Sequence, residues 1–258
     1  MAKKIKTLGS GSKGTVYLMR RKNGSYFARK LSNGFKHLRT ERDMHLKVHD
    51  IAGVPKLLNY CPTKRGFIDY EYIDGARSLD HLLNNISIHD SFLICLRVIE
   101  ILQQAHERGV VHRDVKQENI LYNSETKQVF VIDWDDALDV NENNDRVKIS
   151  SYGTTIINPV EVFYNRYSDF TKIDVWQVGA LLLEMIIKDD AFKGDDSKPV
   201  HSDLELLDNI INCSWNRDVL KLKRRNSSDL EPLFDKVFVK ESKRLSLDEL
   251  RGRIVQIA

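Results

Sequence analysis

The sequence predicts an α+β protein, with a strand-rich first part and a larger helical second part. Three observations carry this expectation. Within the first 75 residues, branched and aromatic residues form short runs between turn signals, with room for one helix. From Leu79 onward apolar residues recur mainly at helical spacing. The 258 residues are 41% hydrophobic and 30% charged with 13 Gly and 5 Pro, which fits a globular chain able to bury a core.

Taken in order, residues 16–20, 26–31 and 66–72 read as strands, and Asn23-Gly24 marks a hairpin turn between the first two. Residues 36–49 fit a helix. A linker over 71–77 would join the strand-rich part to the helical part, and a cleft between them is a natural ligand site. Phe92, Cys95, Leu96, Ile99 and Leu102 form one helical stripe. Residues 173–187 are apolar nearly all round, as in a helix buried within a helical assembly. Ser246 followed by Glu249 fits a capping box for a last helix carrying Leu247, Leu250, Ile254 and Ile257.

The bulk properties narrow the function. A net charge of +3, from 40 basic and 37 acidic residues, gives no overall argument for nucleic acid. Cys61, Cys95 and Cys213 match no disulfide framework or zinc spacing, so an intracellular location, cytoplasmic or nuclear, is the expectation. The first residues lack the apolar core of a signal peptide, and the apolar stretch 175–187, broken by Gln177 and Glu184, is too short to span a bilayer. No membrane partner is expected.

Several motifs carry chemistry. Gly9-Ser-Gly11-Ser-Lys-Gly14-Thr-Val16 fits a phosphate-cradling loop, in which glycines let backbone N–H groups approach phosphate oxygens. By itself such a run also fits a plain hairpin. The strand-like Val16-Tyr-Leu that follows argues against a Rossmann turn. Ala28 and Lys30 share one strand face, and Glu41 on the next helix can neutralise the lysine; without the other motifs the pair would equally fit two exposed charges. His112-Arg113-Asp114-Val115-Lys116-Gln117-Glu118-Asn119 places a base, a cation and a metal ligand on one short loop. Asp133 follows an apolar strand, nineteen residues after Asp114, and with Asn119 makes a hard-oxygen site suited to Mg²⁺.

On these residues the chain resembles a eukaryotic-type serine/threonine protein kinase from Leu8 to about Ile257. Gly153-Thr154, Pro159-Val160-Glu161, Asp174-Val-Trp176 with Gly179, and Arg244 as the partner of Glu161 also stand in family order. The interval from Glu41 to Pro55 is similar to casein-kinase-1-like enzymes, and the compact size resembles virus-encoded kinases such as those of baculoviruses. The resemblance implies a bilobal kinase fold as one domain over 1–258, with an N-lobe to about 72, a hinge at 71–77 and a C-lobe from 78.

It also implies ATP and Mg²⁺ as cofactors and a protein with a Ser or Thr acceptor as substrate. Gly9, Gly11, Gly14, Val16, Ala28, Glu71 and Ile73 would line the nucleotide, with Tyr70 as gatekeeper. Lys30, held by Glu41, would grip the phosphates. Asn119 and Asp133 would bind metal, Asp114 would take the substrate proton, and Lys116 would stabilise the moving phosphoryl group. Lys116, two residues after Asp114, and Thr154 follow the serine/threonine pattern.

The chain departs from the family at Asp133-Trp134-Asp135, where Phe and Gly are usual, at Gln117 in place of Pro, and in the short interval from Lys30 to Glu41, which strains their pairing. Trp134 is expected to anchor its segment more firmly than Phe. Arg29 is a decoy beside Lys30. Phosphate on Ser150, Ser151 or Thr155 could answer Arg113, but Asp139, Glu142 and Asp145 already make that segment acidic, favouring activity without an upstream kinase. Acidic residues over 135–145 fit a basic substrate or, more simply, a solvated loop. Arg224-Arg225-Asn226-Ser227 resembles a basophilic phosphorylation site, and the basic run 221–225 reads as a solvated face. A pseudokinase scaffold is the competing reading, disfavoured by the presence of Lys30, Asp114 and Asp133; a small-molecule kinase is disfavoured by Glu161 and Arg244.

Overall fold

Strand β1 (Lys3–Gly11) pairs antiparallel with β2 (Gly14–Arg20), Gly11 opposite Gly14, and β2 returns through the Asn23-Gly24 turn into β3 (Tyr26–Ser32). The computed structural model describes residues 2–11, 13–32, 35–63, 66–141, 158–164, 168–192, 209–223 and 229–258. After β3, helix α1 (Phe35–Val48) leads to β4 (Leu57–Cys61) and β5 (Phe67–Glu71), completing an antiparallel sheet of order β1-β2-β3-β5-β4. The expected strands and helix sit within two residues of these bounds. Strand β4 was not expected, because Leu-Leu-Asn-Tyr-Cys has no β-branched residue and is half-exposed.

Strand alternation sorts this sheet into two faces. Val16 stands opposite Lys30 and Lys30 opposite Ile68, while Leu18 and Tyr70 flank Ala28, so all six share the face toward α1 and the cleft. Tyr17, Arg29 and Asp69 occupy the other face. There Arg29 pairs with Asp69 at 2.6 Å and lies over the Phe67 ring, directed away from Lys30, in keeping with its reading as a decoy. Beyond β5, residues 72–76 form a turn with Gly75 in the left-handed region, closed by the Ala76 N–H to the Ile73 carbonyl at 3.3 Å.

The second part opens with β6 (Arg77–Ser78) and α2 (Ile88–Glu107), whose first turn is capped by the Ser87 hydroxyl accepting the Asp90 N–H at 3.0 Å. Short strands β7 (Val110–Val111), β8 (Ile120–Tyr122), β9 (Val129–Val131) and β10 (Leu138–Asp139) pair as β6-β8-β9 and β7-β10. They clamp the two loops that carry Asp114 and Asp133. Helices α3 (Val160–Tyr164), α4 (Thr171–Ile187), α5 (Arg217–Lys223), α6 (Glu231–Val237) and α7 (Leu247–Ile257) complete the described elements.

Every residue of α4 from 173 to 187 is buried, because the helix packs against α2, α5 and α6 at once. A Cβ at Gly179 would lie 2.3 Å from Val237, so the close approach of α4 and α6 requires glycine there. Trp176, Phe192, Phe238, Phe234 and Trp215 form a chain of ring contacts with centroids 5.0–6.2 Å apart around this junction. Arg244 closes the same region. Its guanidinium is paired with Glu161 and donates to the carbonyls of Val237, Lys172 and Val239. In α7 the capping box is formed, with the Ser246 hydroxyl accepting from the Glu249 N–H at 3.2 Å. No helix among the described residues is long and apolar enough to cross a membrane. Gly153, Thr154, the candidate phosphosites Ser150, Ser151 and Thr155, Glu142, Asp145 and the 224–227 motif lie outside the described residues.

Candidate active site

Residues 112–119 leave β7 and end in a short helical turn before β8. Asp114, only 4% exposed, receives the Lys116 ammonium at 2.9 Å and the Asn119 amide at 2.9 Å on its carboxylate. Asn119 also donates to the Asp114 carbonyl at 2.8 Å, closing the loop on itself. Burial raises the Asp114 pKa, and Lys116 opposes that shift.

The loop is fixed from behind. Asp174 on α4 accepts the backbone N–H groups of His112 (3.0 Å) and Arg113 (2.7 Å), with His106 at 2.7 Å. Gln177, one helical turn on, accepts the Val115 N–H at 2.9 Å and donates to the Arg113 carbonyl at 2.8 Å. These bonds hold Arg113 in the left-handed region, with φ 66°. The sequence singled out Asp174, but Gln177 was read only as an interruption of an apolar run.

Two bonds join this loop to the Asp133 segment. The Ile132 N–H donates to the Asn119 carbonyl at 2.9 Å, and His112 Nε2 lies 3.1 Å from the Ile132 carbonyl. The Asp114 N–H donates to His112 Nδ1 at 3.2 Å, so the ring is the neutral tautomer with its proton on Nε2. Asp133 and Asn119, the expected metal pair, are thereby brought to neighbouring backbone positions.

Opposite stands Lys30. Its ammonium is 3.0 Å from Glu41, 2.6 Å from Asp133 and 3.3 Å from Asp135. The short interval between Lys30 and Glu41 therefore does not prevent their pairing, since α1 begins at once after β3. Burial would discharge Lys30, yet the three carboxylates hold its pKa well above the ordinary lysine value. Burial lifts Glu41 to about 7 against the pull of Lys30, and the Tyr70 hydroxyl donates to it at 2.7 Å. Asp133 is half-buried; desolvation pushes its carboxyl up, but Lys30 draws it below the usual carboxylate range.

The glycine run reaches this cluster through Lys13, which pairs with Asp135. A Cβ at Gly9 or Gly11 would meet nothing within 4 Å, whereas one at Gly14 would strike the Leu31 carbonyl oxygen at 2.2 Å. Open space beneath the first two glycines and close packing at the third are what a loop needs to admit phosphates from a fixed base. The donor set agrees. Ammonium groups at Lys30 and Lys116 suit phosphate oxygens, and Glu41, Asp133 and Asp135 bring carboxylate oxygens close enough together to suit a hard divalent cation.

A model of the protein kinase domain matches residues 2–253. The chain belongs to the protein kinase domain family. Among similar proteins, serine/threonine-protein kinase 1 of African swine fever virus is 27% identical over 164 residues, covering 60% of this chain and 54% of that protein. Myosin light chain kinase family member 4 of Homo sapiens is 28% identical over 184 residues, covering 69% and 45%. The cAMP-dependent protein kinase catalytic subunit of Dictyostelium discoideum is 24% identical over 211 residues, covering 78% and 32%. The matches thus span between about a third and about a half of these relatives' own lengths.

Two departures from the kinase pattern find structural partners. Gln117 donates to Glu184 of α4 at 2.8 Å, giving a buried carboxyl, raised by burial to about 7, its hydrogen bond. Asp135 lies in a helical turn without a positive φ, so the side chain imposes no backbone strain there. Its carboxylate takes Lys13 of the glycine loop at 2.7 Å as well as Lys30, and Lys13 also pairs with Asp136. Sequence reasoning missed this contact; a lysine at the loop tip together with an acid in the glycine position was its only signal. Trp134 is wholly buried, edge-on to His112 at 4.6 Å, beneath α1. Arg113 donates from Nε to the Asp136 carbonyl at 2.6 Å, and Asp139 pairs with Lys47 of α1.

Proposed function

We propose that this protein transfers the γ-phosphoryl group of ATP to serine or threonine hydroxyls of proteins, as one kinase domain over 1–258 with its hinge at 71–77. The observation that carries the reading is the convergence of Asp114, Lys116 and Asn119 on one side with Lys30, Glu41 and Asp133 on the other. Val16 and Ala28 cover the adenine from the sheet, Glu71 and Ile73 flank it along the linker, and Tyr70 closes the pocket behind. Gly9, Gly11 and Gly14 admit the phosphates.

Lys30 binds the α- and β-phosphates, and Glu41 keeps the ammonium from following its other carboxylate partners. Asp133 and the side-chain oxygen of Asn119 would hold Mg²⁺, which when bound neutralises phosphate charge. Asp114 orients the acceptor hydroxyl and takes its proton as the new O–P bond forms and the bond from the γ-phosphorus to the β–γ bridging oxygen breaks. Lys116, held against Asp114, stabilises charge on the transferring group. Relatives named as serine/threonine kinases support the acceptor class, as does Lys116 itself.

The test is transfer of labelled γ-phosphate from Mg²⁺-ATP to a basic protein and to casein. Asp114→Asn should lower the rate about 10²–10⁴-fold while ATP binding persists. Nucleotide binding without transfer to either protein or to the enzyme itself would instead favour a pseudokinase scaffold.

A further inference from the structure

The net charge of +3 conceals a strong asymmetry. Residues 1–40 contain eleven Lys or Arg and no Asp or Glu, leaving 29 basic against 37 acidic residues for the rest of the chain. Several of the eleven are spent internally: Lys13 and Lys30 in the candidate site, Arg29 on Asp69, and Arg39 near Asp43. Lys3, Lys4, Lys6, Arg20, Arg21 and Lys22 are exposed, and none forms an ion pair among the described residues. Register gathers them at one end of the sheet. Lys3 stands opposite Arg20, Lys4 opposite Met19 and Lys6 opposite Leu18, with Arg21 and Lys22 in the adjoining turn.

Strand β1 is also the end strand of the sheet, and all nine of its residues are exposed. Among the described residues no strand pairs with its outer edge, so that edge presents free N–H and C=O groups, with register shifts between Lys4 and Lys6 and between Thr7 and Gly9. From the register, Lys3 and Lys6 lie on the cleft face and Lys4 on the opposite face. Lys4 covers the Tyr17 ring at 3.6 Å, on the face that Tyr17 shares with Met19.

We propose that the outer edge of β1 at residues 3–7 is a docking strip for an extended acidic segment of a protein partner, which adds to the sheet as a further strand. Strand addition supplies main-chain hydrogen bonds, and side chains alternating above and below the new strand would place carboxylates beside lysines on both faces. The arrangement suits other polyanions less well. A flat anionic bilayer meets one face, whereas these cations are divided between two. Single-stranded nucleic acid gains much of its affinity by stacking on open rings, and here cations already cover Tyr17, Tyr26 and Phe27. The strip is separate from the phosphate loop at residues 9–14, so a docked segment leaves nucleotide access open.

Edge lysines also serve simply to keep sheets from pairing with one another, and the experiment separates that role from docking. Binding of a fluorescent peptide of about ten residues with Glu at alternate positions is read by anisotropy on the full chain. A control peptide carries prolines that prevent strand pairing; an oligonucleotide and phosphatidylserine vesicles are run beside it. Tight binding of the Glu peptide should weaken with salt, fail for the proline control, and fall about tenfold or more in Lys3→Glu/Lys4→Glu/Lys6→Glu. Arg20→Glu/Arg21→Glu, with thermal melting to confirm folding of both variants, should weaken it less. The proposal is overturned by equal binding of the proline control, by tighter binding of the oligonucleotide or vesicles, or by no peptide binding. Self-association of the triple variant together with no peptide binding would assign the lysines to edge protection alone. Because the readout is binding, the result is independent of phosphoryl transfer.

Discussion

On the helical side of the candidate site, Asp114 is positioned by a web in which backbone N–H and C=O groups, an amide and a neutral imidazole do most of the holding. On the sheet side, the Lys30 and Lys13 ammonium groups are set among Glu41, Asp133, Asp135 and Asp136, and position is kept by charge. The first arrangement is directional, fixed largely by hydrogen bonds to backbone groups. In the second, each ammonium faces more than one carboxylate, so one partner can be exchanged for another. Geometry is thus fixed around Asp114 and left exchangeable around Lys30.

Breaking the rigid side should have the larger effect. Asp174→Ala leaves two buried N–H groups without acceptors and should cost about 3–5 kcal/mol of stability, with loss of transfer activity, as read from urea midpoints and rates. Removal of a buried carboxyl that meets the loop only through one side chain, and none of its backbone N–H groups, sharpens the contrast. Glu184, near neutral Gln117 and close to Asp190 and Glu118, is raised from 4.5 to about 7 by burial. The folded state therefore retains its proton longer than the unfolded chain, and stability falls as pH rises between those values. Glu184→Gln should flatten that slope and gain up to about 3 kcal/mol above pH 7. His45 acts in the opposite sense. Burial lowers it from 6.5 to about 4, so its contribution is intact above 6.5 and is lost as pH falls toward 4. Denaturation across pH 4–8 with Glu184→Gln and His45→Gln checks both signs. The smallest effect is expected on the exchangeable side: Lys13→Met should cost about 1 kcal/mol at low salt and less at high salt.

What could be read from the sequence follows the same division. The Asp114–Asn119 loop was legible because its members lie within a few residues of one another, and Lys30 because strand alternation separates it from Arg29. Glu41 was legible as the first acid after a strand. The Lys13–Asp135 contact was not, since it joins residues 122 apart that belong to no shared pattern. Gln177 was hidden for a different reason: inside an all-buried helix, a polar residue that satisfies another loop's backbone looks like a flaw in the periodicity. Strand β4 lacked the side chains that announce a strand and forms because β5 offers it a partner.

Trp134 has a consequence outside stability and catalysis. It is sealed from solvent against His112, within the segment that carries Asp133, while the other two tryptophans, Trp176 and Trp215, lie in the distant aromatic cluster around α4. With those two replaced by phenylalanine, the tryptophan emission of the protein comes from the indole beside Asp133 alone. Its wavelength reports solvent reaching that segment, and its intensity reports the imidazole at its edge. The chain thus has a built-in optical gauge of whether the segment is seated or released.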